Sequence, residues 1–229
     1  MIILSLDTTT RAGSAAVVRD GIVLAEIVGD PSLKHGQRLP ADLMRVLEMA
    51  DVALPAVTLF AVAAGPGSFT GMRVGIATVQ GLAMAAGARV VAVSTLDALA
   101  RSGSDGSRPV GAWMDAQRSE VYAALYGPDG REVWCAPMSG TPAAVLDAWS
   151  AALAAGPVRV IGDGALRYRD VVDRSLGARA EVVPPPPLAG IIGQIAAEAP
   201  ERAVLPHAVM PIYVRKSDAE LTRIRRAVP

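Results

Sequence analysis

The sequence predicts an α/β chain of two tandem halves, each a mixed sheet in which three antiparallel strands precede alternating helices and strands. Apolar residues recur at period 2 in short runs bounded by Gly, Asp and Ser, and at period 3.6 in longer ones. The order strand, strand, strand, helix, strand, helix, strand, helix is met twice. Between the copies lies Ser102-Gly103-Ser104-Asp105-Gly106-Ser107, a linker rich in helix and strand breakers. The predicted domains are therefore 1–103 and 104–229, the second with a tail that packs back on the first.

In the first half, strands are expected at Ile2 to Asp7 and Ser14 to Arg19, and an Asp20-Gly21 hairpin leads to a third at Ile22 to Val28. An amphipathic helix follows from about Leu39 to Ala50, with Pro40 near its first turn. Strand Val57 to Ala63, a glycine loop, helix Gly71 to Ala86, strand Arg89 to Val93 and helix Thr95 to Arg101 complete the half. The second half reads as strands Val110 to Asp115, Glu120 to Tyr126 and Arg131 to Ala136, then a helix from Thr141 to Ala155. Strand Val158 to Ile161, helix Ala165 to Asp173, strand Ala180 to Val183 and helix Leu188 to Ala199 close it. Two copies of this order imply a duplicated actin-like or ribonuclease-H-like architecture.

The 229 residues carry 22 basic and 22 acidic side chains, so no global field draws nucleic acid or an anionic membrane. Met1 runs directly into a strand with no basic, apolar and cleavage-site pattern of a leader, and no membrane span is expected. Cys135 is the single cysteine, which excludes an intrachain disulfide and a cysteine zinc site. A cytoplasmic location is expected.

The most informative stretch is Gly65-Pro66-Gly67-Ser68-Phe69-Thr70-Gly71, which joins a strand to a helix. Gly65 and Gly67 permit a sharp turn, Pro66 fixes a dihedral between them, and Ser68 and Thr70 are both candidate N-caps. Free amides at such a helix start suit phosphate. The helix beyond is apolar on two sides. Met72, Ile76, Val79 and Ala83 form one stripe, with Gly71, Gly75, Leu82 and Ala85 as a second small or apolar surface. Both faces call for burial, against the chain's own sheet and helices or against a protein partner. Asp7 and Asp115 hold equivalent places, each closing a first strand before a turn, and such a pair across a cleft suits a magnesium nucleotide. The alternative is that each accepts hydrogen bonds within its own turn.

Ile3-Leu4-Ser5-Leu6-Asp7-Thr8-Thr9-Thr10, His35-Gly36-Gln37-Arg38-Leu39, the glycine loop through Met72 and Arg73, Asp115-Ala116-Gln117-Arg118-Ser119-Glu120-Val121-Tyr122 and Pro211-Ile212-Tyr213-Val214-Arg215 resemble the TsaB (YeaZ) family. Its members are bacterial tRNA threonylcarbamoyladenosine biosynthesis proteins. The resemblance runs over nearly the whole chain. It implies two tandem actin-like (ASKHA) domains and a noncatalytic subunit that binds and activates TsaD. Together they place threonylcarbamoyl on the adenosine 3′ to the anticodon (t6A) in tRNAs reading codons that begin with A. An ATPase subunit, TsaE, joins the larger complex, and tRNA is met indirectly or weakly; the apolar helix surface would also suit a homodimer when TsaD is absent, a point the sequence leaves open.

The resemblance also bears on individual residues. Catalytic relatives carry two His four apart on a helix, whereas Leu39 stands four after His35, so no metal is expected and a metallopeptidase is disfavoured. Kinases and ATPases of the superfamily have glycine in the first phosphate loop, where this chain has Asp7-Thr8-Thr9. Gly162 and Gly164 echo the adenosine loop of that superfamily and would complete a vestigial nucleotide cleft with Asp7, Thr8, Thr9 and Asp115. No catalytic residue and no cofactor of its own are expected, with at most weak or shared ATP or ADP and magnesium. The rival reading is an actin-like ATPase or kinase using Asp7 and Asp115. The family's partner surface would fall on Leu39, Leu43, Val46 and Leu47 of one helix and Met72, Arg73, Ile76, Val79, Leu82 and Ala83 of the next. Arg118 and Glu120 are expected to form structural ion pairs. The basic tail, with Arg215, Lys216, Arg223, Arg225 and Arg226 against Asp218 and Glu220, is a candidate for tRNA phosphates.

Overall fold

The chain is a mixed α/β fold with two five-stranded sheets, in a computed structural model that describes residues 1–154 and 156–215. Lys216, Asp218, Glu220, Arg223, Arg225 and Arg226 of the basic tail lie outside the described residues. The first sheet comprises β1 (Ile2–Asp7), β2 (Ser14–Arg19), β3 (Ile22–Val28), β4 (Leu59–Gly65) and β5 (Arg89–Ser94), in the order β3-β2-β1-β4-β5. Its helices are α1 (His35–Met49), α2 (Phe69–Ala85) and α3 (Thr95–Gly103). The second sheet comprises β6 (Val110–Asp115), β7 (Val121–Tyr126), β8 (Val133–Gly140), β9 (Val158–Ile161) and β10 (Ala180–Val183), in the order β10-β9-β6-β7-β8. With it come α4 (Pro142–Leu153), α5 (Asp163–Arg167), α6 (Arg169–Leu176) and α7 (Ala189–Glu198). In both sheets the first three strands pair antiparallel and the remaining two add in parallel.

Strand alternation distributes the core into three layers. Ile3, Ala61, Val91 and Val93 point into a cluster shared with Ala112, Met114 and Ala124 of the second sheet. Leu4, Leu6, Phe60 and Val62 point the other way, into a cluster under α1 and α2. Trp113 and Trp149 anchor the third, beneath α4, with ring centroids 6.0 Å apart in an edge-on pair. Removing a side chain of that size from a core costs about 3–5 kcal/mol.

Two helices exchange partners. α3 follows the first sheet in sequence but packs on β6, while α7 follows the second sheet and packs on β1 and β2. The approach of α7 depends on Gly193, where a Cβ would meet the Val18 side chain at 2.5 Å. Its N-terminal amides are satisfied from the first sheet: Ser14 Oγ accepts from Leu188 and Ala189, and Glu26 accepts from Gly190 at 2.8 Å.

Several boundaries differ from expectation. α1 begins at His35, not near Leu39, because Gln37 folds back to accept from the Lys34 amide at 3.1 Å. Pro40 therefore sits in the second turn. β4 begins at Leu59, since Leu54–Ala56 forms a 3₁₀ turn whose Leu54 carbonyl takes the Val57 amide. β8 runs on to Gly140 through Pro137, tolerated because β8 is an edge strand. The helix expected from Ala165 to Asp173 breaks at Tyr168, which leaves helical dihedrals and splits it into α5 and α6. α3 extends to Gly103, so the linker is shorter than its composition suggests. No helix among the described residues is long and apolar enough to cross a membrane.

Candidate functional site

A cleft of about 1050 Å³ opens between the turn after β1, the loop before α1, the glycine loop and the turn after β6. Asp7 and Asp115, the last residues of β1 and β6, build matching turns. Asp7 Oδ1 accepts from the Thr9 amide at 2.8 Å and the Thr9 hydroxyl at 2.6 Å. Asp115 accepts from the Gln117 amide at 3.0 Å and its side-chain amide at 2.8 Å. The symmetry ends at exposure. Asp7 is buried beneath Thr9, and that burial pushes its carboxyl above the ordinary value despite the Thr9 hydrogen bonds. Asp115 lines the cleft, where Arg167 approaches it to 3.4 Å.

The glycine loop is shaped by the chain itself. Ser68, not Thr70, caps α2, its hydroxyl accepting from Gly71, and the Ser68 amide donates to the Thr9 carbonyl at 2.8 Å. A Cβ on Gly67 would stand 2.5 Å from Thr9 Cβ, and one on Gly71 would stand 2.0 Å from the Thr8 carbonyl. Gly65, at φ 114°, lets the Ile212 carbonyl pass, while the Ile212 amide donates to Ala64. Thr8 and Thr9 thus press into the hollow these glycines leave. Pro66 is buried, Phe69 and Thr70 are exposed, and the loop from Gly67 to Gly71 forms one side of the cleft.

Gly162 and Gly164 serve packing: a Cβ on Gly162 would meet the Trp113 carbonyl at 1.9 Å, and one on Gly164 the Met114 carbonyl carbon at 2.8 Å. Between them Asp163 reaches the cleft, accepts from the Asp115 amide at 3.0 Å, and has its carboxyl raised mainly by burial. Glu120 pairs with Arg215 at 2.9 Å, and Arg118 is also engaged.

His35 lies on the cleft wall as the first residue of α1. Arg38, which has no acceptor, donates to His35 Nδ1 at 2.8 Å, so Nε2 carries the proton and donates to the Thr10 carbonyl at 3.0 Å. Burial and the Arg38 charge both hold the imidazole below its ordinary value, so it is neutral. Among the described residues no group of three or more His, Cys, Asp or Glu is placed to hold a metal ion.

Sequence reasoning did not find two features. Arg38 is buried against Gly29 and bonded to Asp42 and the Ala12 carbonyl, and its spacing of four from Asp42 was the available signal. Gln117, Arg118 and Ser119 adopt three successive left-handed conformations, at φ 59°, 55° and 62°, with no glycine to announce them.

Eight of the ten residues expected to form a partner surface are buried in the chain's own core: Leu39, Leu43, Val46, Leu47, Met72, Ile76, Val79 and Ala83. Leu82 is half-buried against the same cluster and Arg73 is exposed. The apolar stripe of α2 faces the sheet. Among the residues α1 and α2 expose are Met44 (73 %), Met49 (55 %) and Met84 (67 %), with the small Ala41, Ala77, Gly81 and Ala85 beside charged Arg45, Glu48 and Arg73. A Cβ on Gly81 would meet nothing within 4 Å, so internal packing does not demand that glycine.

The chain matches, over residues 29–147, a family described as TsaD, tRNA N6-adenosine threonylcarbamoyltransferase. It is 38% identical over 136 residues to the tRNA threonylcarbamoyladenosine biosynthesis protein TsaB of Escherichia coli strain K12, covering 58% of each chain. It thus spans little more than half the length of that curated relative. The solved structure of YeaZ from Pseudomonas aeruginosa is 32% identical, with a TM-score of 0.76 over 93% of this chain and 99% of that one. An activator of 2-hydroxyisocaproyl-CoA dehydratase from Clostridium difficile, solved with ADPNP, is 12% identical at a TM-score of 0.53 over 88% of this chain and 96% of that one, a likeness of fold alone.

Proposed function

Since the chain belongs to the TsaB (YeaZ) family, we propose that it is a noncatalytic, cytoplasmic subunit for threonylcarbamoylation of the adenosine 3′ to the anticodon, which binds and activates a TsaD-type transferase. Its two actin-like (ASKHA) domains divide near residue 103. TsaE joins the larger complex, and the same surface supports a homodimer when TsaD is absent.

The observation that carries this reading is the outer face of α1 and α2. Ala77, Gly81 and Met84 recur at helical spacing on the exposed side of α2, Met44 is exposed on α1, and small residues admit a second helix to short range. A methionine fully buried there contributes about 1.5–3 kcal/mol, enough for two to dominate an association.

The noncatalytic part is supported by Asp7 and Thr8. A carboxylate sealed under Thr9 and raised by burial is a poor ligand for magnesium, and the Thr8 hydroxyl, bonded to the Gly71 carbonyl at 2.8 Å, fills space beside the helix start. Nucleotide with magnesium would then be weak or shared with the partner. The rival ATPase or kinase reading requires Asp7 to reach solvent.

Threonylcarbamoylation of an unmodified tRNA is to be measured with TsaD, TsaE and the threonylcarbamoyl-adenylate donor, with and without this chain. Modification is expected only with it. Equal modification in its absence overturns the reading, and robust magnesium-ATP turnover by the chain alone overturns its noncatalytic part.

A further inference from the structure

We propose that the edge of the cleft at Phe69, together with Arg73 and Tyr213 that pack against that ring, is a contact site for single-stranded RNA. Resting on the function proposed above, the ligand is the unpaired anticodon loop of the tRNA. The Phe69 and Tyr213 ring centroids are 5.9 Å apart with planes 30° from parallel, and the Arg73 guanidinium stands 3.9 Å over Phe69. Two hydrogen bonds from Arg73 to the Tyr213 hydroxyl, at 3.3 and 3.2 Å, hold the group together. Phe69 is 48% exposed and Tyr213 46%, whereas the other phenylalanine, Phe60, is wholly buried. A rigid aromatic pair open to solvent is a stacking platform for unstacked bases.

The charges beside it suit a polyanion. Lys34 and Arg11 line the same cleft as Phe69, and like Arg73 they have no carboxylate partner among the described residues. Among the described residues Arg11 spends only Nε, on the Pro31 carbonyl at 2.9 Å. The carboxylates of the floor are already engaged, Asp115 with Arg167 and Gln117 and Asp163 with the Asp115 amide. Anion attraction therefore acts at the mouth. The volume of about 1050 Å³ accepts one splayed nucleotide with room for its neighbours' backbone. Phe, Tyr and Arg suit protein interfaces as well as RNA; what favours RNA is Lys34, which lines the same cleft as Phe69 and is of a residue type depleted from protein interfaces.

The test uses the full chain and fluorescence anisotropy with an unmodified anticodon stem–loop transcript and with oligouridylate. Both RNAs are expected to bind, with a logarithmic salt slope of about −2 from three phosphate contacts. Phe69→Ala and Tyr213→Ala each weaken binding about 5-fold or more, Phe69→Tyr retains it, and Lys34→Gln lowers the slope by about 0.7. Should Phe69→Ala misfold, Arg73→Gln at an exposed position gives the same reading. Absence of RNA binding by the parent overturns the proposal, as does unchanged affinity in Phe69→Ala. Displacement of RNA by ATP assigns the cleft to mononucleotides, and loss of TsaD association in Arg73→Gln assigns the patch to protein. Failure of the parent to associate with TsaD would count against the function above and leave the RNA result standing.

Discussion

The Thr8 hydroxyl occupies the place where a side chain on Gly75 would stand: a Cβ built there lies 2.1 Å from Thr8 Oγ1. The turn after the first strand and the second helix are therefore fitted to one another at atomic contact.

Gly75→Ala is expected to destabilise the chain by about 1–3 kcal/mol from overpacking, more than the roughly 1 kcal/mol that alanine adds in helix propensity. Thr8→Ala loses the bond to Gly71, about 1 kcal/mol. Because the second change removes the obstacle to the first, the double variant is less damaged than the sum. Urea denaturation of the four proteins measures the coupling, and strict additivity would show that the two residues are not in conflict.

Asp7 sets a dependence on pH. Its folded value is raised, so the stability it contributes is full below the unfolded value of 3.8 and is lost as pH rises through the folded value. Asp7→Asn keeps the acceptor for Thr9 without a charge. It should match or exceed the parent in urea midpoint at pH 7, with the advantage shrinking toward pH 4. An advantage that instead grows on acidification contradicts this account.

His35 acts in the opposite direction. Its folded value is lowered, so its contribution is full above the unfolded value of 6.5 and declines as pH falls from there toward the folded value. Relative to the parent, His35→Gln should flatten the fall in thermal midpoint between about pH 7 and pH 5. Identical profiles for the two proteins would show that the imidazole is not held neutral.

Core and contact surface separate by charge. Ile76 is 5% exposed, and Ile76→Glu should cost about 4 kcal/mol or more by burying a carboxylate. Met44→Glu and Met84→Glu, on exposed positions, should change stability by only about 0.5 kcal/mol yet prevent co-elution with TsaD. Co-elution of both folded variants moves the contact elsewhere.

Much of this architecture could be read from the residues. The strands from Ile2 to Val28 follow from alternation and the Asp20-Gly21 turn, and the same three-strand pattern gave β6 and β7. Periodicity identified the apolar stripe of α2 but not what covers it. Met72, Ile76, Val79 and Ala83 meet the chain's own sheet, and the exposed side mixes the small Ala77, Gly81 and Ala85 with Arg73 and Met84, which makes no apolar stripe to read. Asp7 and Asp115 were recognisable as equivalents, yet their different burial depends on Thr9 and on neighbours distant in sequence. The platform at Phe69 was equally hidden, because Tyr213 joins it through Arg73, 140 residues away in sequence.

The exchange of α3 and α7 has a consequence for biosynthesis. The first sheet to leave the ribosome is the last to be covered, since α7 roofs β1 and β2, and Val204 pairs with Val90 along β5 still later. Until roughly the final eighth of the described chain has emerged, the face of β1 and β2 beneath α7, Val18 included, lacks that cover. A nascent chain stalled after β10 would display that apolar floor in full, a natural target for a chaperone and a poor point at which to truncate the protein.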